Sequence, residues 1–243
     1  MSLLTIFKGL IPKKPPTCTA VIAAAGISVR CEGEDKLLYE VNGKPVIAYS
    51  IEPFEKCRFV NEVIIVANEN NYLKIGEICN KHRFKKVSHI IIGGPTRLDS
   101  VINGVFAASK KARLIAIHDG ARPCLTPDIL EETVKKAESC SAAAPAIAIT
   151  STVKKVIDEV IVETVDREGL YEIQTPQIFR AEIIKAALTN AKKKSIEITD
   201  DCMAAELIGA NVYIVEGSRK NIKISDKKDL ELVENFLSED KSR

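Results

Sequence analysis

CTAVIAAAGISVRCEGEDK, residues 18–36, changes character halfway along. Residues 20–25 form a continuous apolar run, the pattern of a strand covered on both faces. At Gly26 the run gives way to a small, polar loop. Ala23, Ala24, Ala25 and Gly26 carry almost no side chain, so a ligand can approach their backbone amides closely. Successive amides in such a loop form an anion-binding concavity. Arg30 and Lys36 follow within one loop length and bring fixed positive charge. A strand, a side-chain-poor turn, then Arg and Lys are the parts of a triphosphate cradle. The stretch matches neither G-x-x-x-x-G-K-[ST] nor G-x-G-x-x-G. An ordinary strand-to-helix turn with two solvated cations has the same local signature.

Outward from this stretch, short apolar runs alternate with helical periodicity. Residues 37–41 read as extended and 42–45 as a turn. Strands are predicted over 62–67, 87–92, 113–117 and 142–149. Helices are predicted over 46–54, 70–81, 96–109 (capped by Thr96) and 126–139 (capped by Thr126, with Pro127 at its first position). This alternation predicts an α/β fold: a Rossmann-like, mostly parallel sheet with helices on both faces. Ligands bind beyond the carboxyl ends of such strands. Three small or polar loops leave those ends, at 25–36, 93–100 and 118–123, and are expected to converge on one crevice. The pattern changes at Thr150. Two β-rich runs, 153–156 and 160–165, flank Ile157, Asp158 and Glu159 with no helix between them, which predicts a protruding β-hairpin. A lone hairpin is not stable in water, so a second subunit is its natural partner. Beyond it come a helix over 181–192, another capped by Thr199, a strand over 212–216, an extended segment over 221–224 and a closing helix from Asp226.

Composition narrows the function classes. The chain has 243 residues, of which 46% are hydrophobic and 28% charged, enough for one sizeable core. A net charge of +2 points to neither nucleic acid nor membrane as partner. The absence of Trp and the 5% aromatic content argue against a surface that stacks single-stranded bases. Seven Cys occur, at 18, 31, 57, 79, 124, 140 and 202, with no C-x-x-C and only three His, so no zinc-ligand spacing is present. They read as reduced thiols, each a small buried hydrophobe, in a cytoplasmic chain. Residues 1–16 read as an N-terminal extension. The apolar run from Leu3 to Ile11 is short, is interrupted by Lys8 and has no basic run before it, which fits neither a signal peptide nor a membrane span.

The motifs AAAG…R…K, GGPTRLDSV, HDGARP, TVDREGLY, TPQIF, TDD and VEGSRKNIKIS follow in that order from Ala23 to about Leu237. Together they resemble the 2-C-methyl-D-erythritol 4-phosphate cytidylyltransferase family. The resemblance implies a single nucleotidyltransferase domain over 17–240, with a β-arm at about 150–170. It implies transfer of CMP from CTP to a polyol phosphate, release of pyrophosphate and a need for Mg²⁺. By match to family motifs, Arg30, Lys36 and Lys223 would be the catalytic cations. Ala24, Ala25, Gly26, Gly93, Ser100 and Asp119 would bind CTP, with Asp119 also a weak metal candidate. Arg122, Thr152, Arg167, Thr175 and Thr199 would bind the acceptor. His118 is assigned no catalytic role. The family's arm wraps a neighbouring subunit, so the resemblance implies a homodimer in which Thr152 and Arg167 complete the partner's acceptor site.

The chain departs from the family pattern at Ser28 (usually Gly), at Cys31 (usually Met), at Gly120 (usually Ala) and in Asp35-Lys36-Leu37, usually Pro-Lys-Gln. The loop is also one residue shorter than is common. Asp35 is expected to weaken the positive field at Lys36. A ribitol 5-phosphate cytidylyltransferase would share the CTP machinery and differ only in the acceptor pocket. A non-catalytic homologue would bind CTP without turnover. A dinucleotide-dependent oxidoreductase would need an acidic residue closing the second strand, where this chain has Val66-Ala67-Asn68.

Overall fold

The computed structural model describes residues 17–26 and 35–241. The expectations for residues 1–16 and for Ser28, Arg30 and Cys31 lie outside them. The first half contains β1 (Cys18–Ala24), β2 (Glu40–Val41), β3 (Lys44–Pro45), α1 (Val46–Lys56), β4 (Val60–Ala67), α2 (Tyr72–His82), β5 (Val87–Ile92), α3 (Arg97–Ala107) and β6 (Leu114–Asp119). Then follow α4 (Pro127–Cys140), β7 (Ala142–Ala148), β8 (Val153–Ile157), β9 (Val160–Val165), β10 (Tyr171–Ile173) and β11 (Gln177–Arg180). The chain closes with α5 (Ala181–Lys193), α6 (Asp201–Glu206), β12 (Tyr213–Glu216) and α7 (Lys227–Lys241).

β1 is the centre of an eight-stranded sheet, parallel to β4 on one side and to β6 on the other. β5 extends the parallel part beyond β4 and forms one edge. On the other side β11 runs antiparallel between β6 and β7. Ala143 pairs with both Ile178 and Tyr213, and Ala146 with both Ile173 and Glu216. β10 and β11 therefore share one side of β7, and β12 forms the opposite edge.

Both faces of the sheet are covered. Ala20, Ile22 and Ala24 of β1 pack into the layer made by α1, α4 and α7, with Ile51, Phe54, Leu130, Val134 and Val233. Val21 points the other way, toward α3, α5 and α6, with Val105, Ile184, Leu188 and Ala205. β6 divides the same way, Leu114 and Ala116 against Ile115 and Ile117. Two buried faces explain why these strands read as unbroken apolar runs.

The helix starts follow the local chemistry. The Thr96 side chain accepts from Asp99 N–H, and that of Thr126 from Ile129 N–H. For α6 the expected cap is corrected from Thr199 to Asp200, whose carboxylate accepts from Met203 N–H at 2.8 Å. A carboxylate serves the helix N-terminus better than a hydroxyl, because its charge also meets the helix dipole. The Thr199 hydroxyl instead faces the Met203 sulfur at 3.7 Å. Residues 36–38 form a turn, leaving only 40–41 of the expected extended run as strand. Cys18, Cys57, Cys79, Cys124 and Cys202 are buried as expected, whereas Cys140, at the end of α4, is half-exposed.

β8 and β9 form a two-stranded sheet of their own. Asp158 and Glu159 both have positive φ, 48° and 66°, the twist a two-residue hairpin turn requires. Val156, Ile157, Val160, Ile161 and Val162 are each more than half exposed, so the hairpin carries apolar side chains on both faces. Among the described residues no helix is long and apolar enough to cross a membrane.

Candidate active site

The described parts of the three loops named from the sequence converge beyond the carboxyl ends of β1, β5 and β6, on a cleft of about 700 Å³. Ala25 and Gly26 form one wall. Gly93, Gly94, Arg97 and Ser100 form the next, and Asp119, Lys36 and Lys223 line the cleft together with Asn68, Glu69 and Thr96. The walls close tightly at Gly93. A Cβ there would stand 2.6 Å from Ser100 Oγ and 2.7 Å from the Ala25 Cβ, so only glycine lets the two loops meet. Ser100 Oγ accepts from Gly94 N–H at 3.0 Å and holds that loop to the start of α3.

Asp119 is the electrostatic hinge of the cleft. Its carboxylate meets Lys223 Nζ at 2.9 Å and lies 3.5 Å from Arg122 Nε. Burial alone would raise its pKa, but Lys223, Arg97 and Arg122 outweigh burial and hold it below the ordinary carboxylate range. Asp119 is thus ionised at neutral pH, with a cation from residues 217–226 seated on it. Arg122 is buried and donates through NH1 to the Asn221 carbonyl at 2.6 Å.

Beneath Asp119 a directed chain of hydrogen bonds fixes the turn. His118 Nε2 lies 3.2 Å from the Arg122 carbonyl, which can only accept, so Nε2 carries the proton. Burial pushes the His118 pKa down to about 4, so the ring is neutral at pH 7 and Nδ1 is an acceptor. Thr175 Oγ1, 2.9 Å from Nδ1, must donate to it, while the same oxygen accepts from Asp119 N–H at 3.1 Å. The Thr175 proton is thereby committed to His118.

Arg97, quoted within GGPTRLDSV but assigned no role from the sequence, is the main addition. It lines the cleft and grips Asp201 with two hydrogen bonds, of 3.2 and 2.8 Å. Burial would lower the Arg97 pKa, but the Asp201 carboxylate raises it. For Asp201, which is fully buried, burial outweighs Arg97 and raises the pKa. Gln177 secures the same helix start: its Oε1 accepts from Asp201 and Cys202 N–H, and its Nε2 donates to Asp200. The recoverable signal was an Arg in the first turn of a helix that opens on a glycine pair.

A cleft at parallel strand ends, lined by small residues and lysines, suits a nucleotide. The model of one family, IspD: 2-C-methyl-D-erythritol 4-phosphate cytidylyltransferase, matches residues 18–239. The chain belongs to that family. The cytidylyltransferase of Halalkalibacterium halodurans is 37% identical over 226 residues, spanning 93% of this chain and 99% of that protein. That of Clostridium acetobutylicum is 39% identical over 221 residues, spanning 90% and 96%. Among solved structures, the 4-diphosphocytidyl-2C-methyl-D-erythritol synthase of Anaerococcus prevotii superposes with a TM-score of 0.81 at 26% identity, covering 92% of this chain and 97% of that one.

Within the cytidylyltransferase cleft the described candidates separate into two sets. Ala25, Gly26, Lys36, Gly93, Ser100, Asp119 and Lys223 line it together. Ala24 is one residue behind, buried, and presents its carbonyl to Asn71. Arg122 and Thr175 are buried beneath the floor. Thr199 is exposed ahead of α6. Thr152 and Arg167 flank the hairpin, are exposed and do not line the cleft; Arg167 donates to the Thr150 carbonyl.

Proposed function

We infer that the protein transfers CMP from CTP to 2-C-methyl-D-erythritol 4-phosphate, giving 4-diphosphocytidyl-2-C-methyl-D-erythritol and pyrophosphate, a step of isoprenoid precursor synthesis by the non-mevalonate route. One observation carries the assignment of roles. Lys36 and Lys223, 187 positions apart in the sequence, line the same cleft as Ala25, Gly93 and Ser100. In the reaction an acceptor phosphate oxygen attacks the α-phosphorus of CTP. The new P–O bond forms as the bond to the β-phosphate oxygen breaks, and pyrophosphate leaves with that electron pair. No protein nucleophile is required, so the enzyme's work is positioning and charge neutralisation. Lys36, Lys223 and Arg30 neutralise the phosphoryl oxygens; Arg97 adds a fourth cation, held by Asp201. Gly93 and Ser100, with Ala24, Ala25 and Gly26, receive cytosine and ribose.

Mg²⁺ is the proposed cofactor, and it neutralises triphosphate charge when bound. Among the described residues no group of three or more His, Cys, Asp or Glu could hold a metal. Asp119 fits as a single carboxylate ligand beside substrate phosphates, the sharing this cation favours. Arg122, Thr152, Arg167, Thr175 and Thr199 form the proposed acceptor site. Thr175 acts there through Asp119, because its proton is already given to His118. Thr152 and Arg167 require a homodimer, with the hairpin of one subunit laid on the other. The exposed apolar residues of the hairpin, and of Tyr171, Ile173, Tyr213 and Ile214 at the sheet edge, support that assembly. The free cysteines fit a cytoplasmic, single-domain enzyme over 17–240.

The test is pyrophosphate release with CTP and Mg²⁺, run in parallel with methylerythritol phosphate, ribitol 5-phosphate and no acceptor. Release with methylerythritol phosphate alone is expected. Release with ribitol phosphate alone would move the assignment to the sister activity, and none with either would leave a CTP-binding protein without turnover.

A further inference from the structure

We propose that Asn71 and Asp35 are a positioning pair that sets Lys36 and the Ala24–Ala25 wall of the cleft. The kinetic part of this inference rests on the cytidylyl-transfer assignment; the geometric part does not.

Asn71 is fully buried just ahead of α2, although an Asn there would ordinarily stay in water. Its amide is fully used. Nδ2 has two protons: one goes to the Ala24 carbonyl at 3.0 Å, the other to Asp35 Oδ2 at 2.7 Å. Oδ1 accepts from Asn68 N–H at 2.9 Å. One side chain therefore ties together the end of β1, the start of the turn that carries Lys36, and the loop after β4. The remaining oxygen of Asp35, Oδ1, accepts from Leu37 N–H at 3.0 Å, and the Leu38 N–H bonds to the Asp35 carbonyl at 2.8 Å. The backbone on both sides of Lys36 is thus fixed by Asp35, while Lys36 Nζ donates to the Ile224 carbonyl at 2.7 Å, next to Lys223.

This changes the meaning of the departure at position 35. The carboxylate expected to weaken the field at Lys36 has both oxygens bonded away from it, to an amide and a backbone N–H. Where a proline would restrict φ through its ring, this chain restrains the same position by charge-assisted hydrogen bonds, which are roughly twice as strong as neutral ones. Asp35 and Asn71 are then interdependent, and either one changed alone leaves the other buried or half-buried without its partner.

The experiment compares Asn71→Asp, Asp35→Ala and the reciprocal Asn71→Asp/Asp35→Asn protein with the unmodified chain. Asn71→Asp sets two carboxylates against each other and removes both donors. The reciprocal pair restores the 35–71 bond with donor and acceptor exchanged, while the Ala24 carbonyl stays without its donor. Hydrogen exchange at the Leu37 and Leu38 amides is read first, because it does not depend on turnover. Both single variants are expected to exchange faster there, while the reciprocal pair recovers part of the protection. With CTP and acceptor, a displacement of about 1 Å at Lys36 is worth about a hundredfold in rate. Asn71→Asp should therefore lose kcat on that scale, with KM for CTP changed by less than about tenfold and the reciprocal pair regaining at least about tenfold. Unchanged exchange at Leu37 in both single variants, or a reciprocal protein whose Leu37 amide exchanges as fast as that of Asn71→Asp, would overturn the proposal. An inactive unmodified chain would instead sink the cytidylyl-transfer assignment, with the exchange data still deciding the tether.

Discussion

Lowering the pH from 7 to 5 should destabilise this protein chiefly through His118. Its imidazole is fully buried, donates from Nε2 to the Arg122 carbonyl and accepts from Thr175 at Nδ1. A second proton, on Nδ1, would displace the bond that Thr175 donates there and force its hydroxyl to turn round. The folded pKa of about 4 lies below the ordinary 6.5 because burial penalises the charged ring. The unfolded chain therefore takes up the proton first as pH falls. Stability is full above pH 6.5 and drains between 6.5 and 4. For those two values the stability lost to linkage is about 0.2 kcal/mol at pH 7 and about 2 kcal/mol at pH 5. The Asp119 carboxylate, also shifted down, loses its contribution with the same sign but only as pH falls below the ordinary carboxylate range; His82, shifted down, and Asp201, shifted up, act with opposite signs and are common to both proteins compared below. The assay is urea unfolding at pH 7 and pH 5 of the unmodified protein and of His118→Gln, which can keep one donor and one acceptor but cannot titrate. The unmodified protein should lose about 2 kcal/mol more than the variant across that interval. Equal losses would mean that His118 is not held neutral, and the directed chain from Asp119 through Thr175 to Arg122 would be wrong.

Three further outcomes follow from the packing. Arg97→Met leaves the Asp201 carboxylate fully buried without its partner. It should cost about 3–5 kcal/mol in urea unfolding, with part of the loss recovered by adding Asp201→Asn; a cost below about 1 kcal/mol would refute a paired Asp201. Gly120→Ala would bring a Cβ to 2.9 Å from Ile47 Cδ1 and 3.0 Å from the Ala23 carbonyl. It should lower stability by about 1 kcal/mol, and Ile47→Val in the same chain should relieve part of that; a stabilised Gly120→Ala protein would contradict the contact. Ile161→Glu on the exposed hairpin should shift sedimentation from dimer to monomer and lower activity. A monomeric, fully active unmodified chain would refute the composite site.

The parallel part of the sheet was legible because both faces are covered, whereas β10 and the antiparallel β11, at 171–173 and 177–180, were not among the expected strands. Val21 and Ile22 pack into opposite layers, so the run 20–25 had no polar alternation to confuse it with an edge strand. The caps at Thr96 and Thr126 were equally legible, being local. The side chains that converge from far apart were harder to see. Arg97 and Asp201 are joined across 104 positions and Lys36 and Ile224 across 188, and nothing in either neighbourhood announces the partner. Thr199 and Asp200 compete for one helix start, and only the backbone direction at 199–201 decides between them. The tether at Asp35 was hidden for a related reason. Its charge is evident in the sequence, but the direction of its oxygens depends on Asn71, which lies 36 positions away behind a strand.

The most direct measurement of the central claim is the kcat of Lys36→Met for CMP transfer to methylerythritol phosphate, with CTP binding measured on the same preparation. Lys36 is assigned to the charge that develops at phosphorus, an interaction of the kind worth about 10²–10³ in kcat. The account predicts a fall on that scale, with CTP affinity reduced by no more than about tenfold. Turnover within about threefold of the unmodified protein would place the chemistry elsewhere than in this cleft.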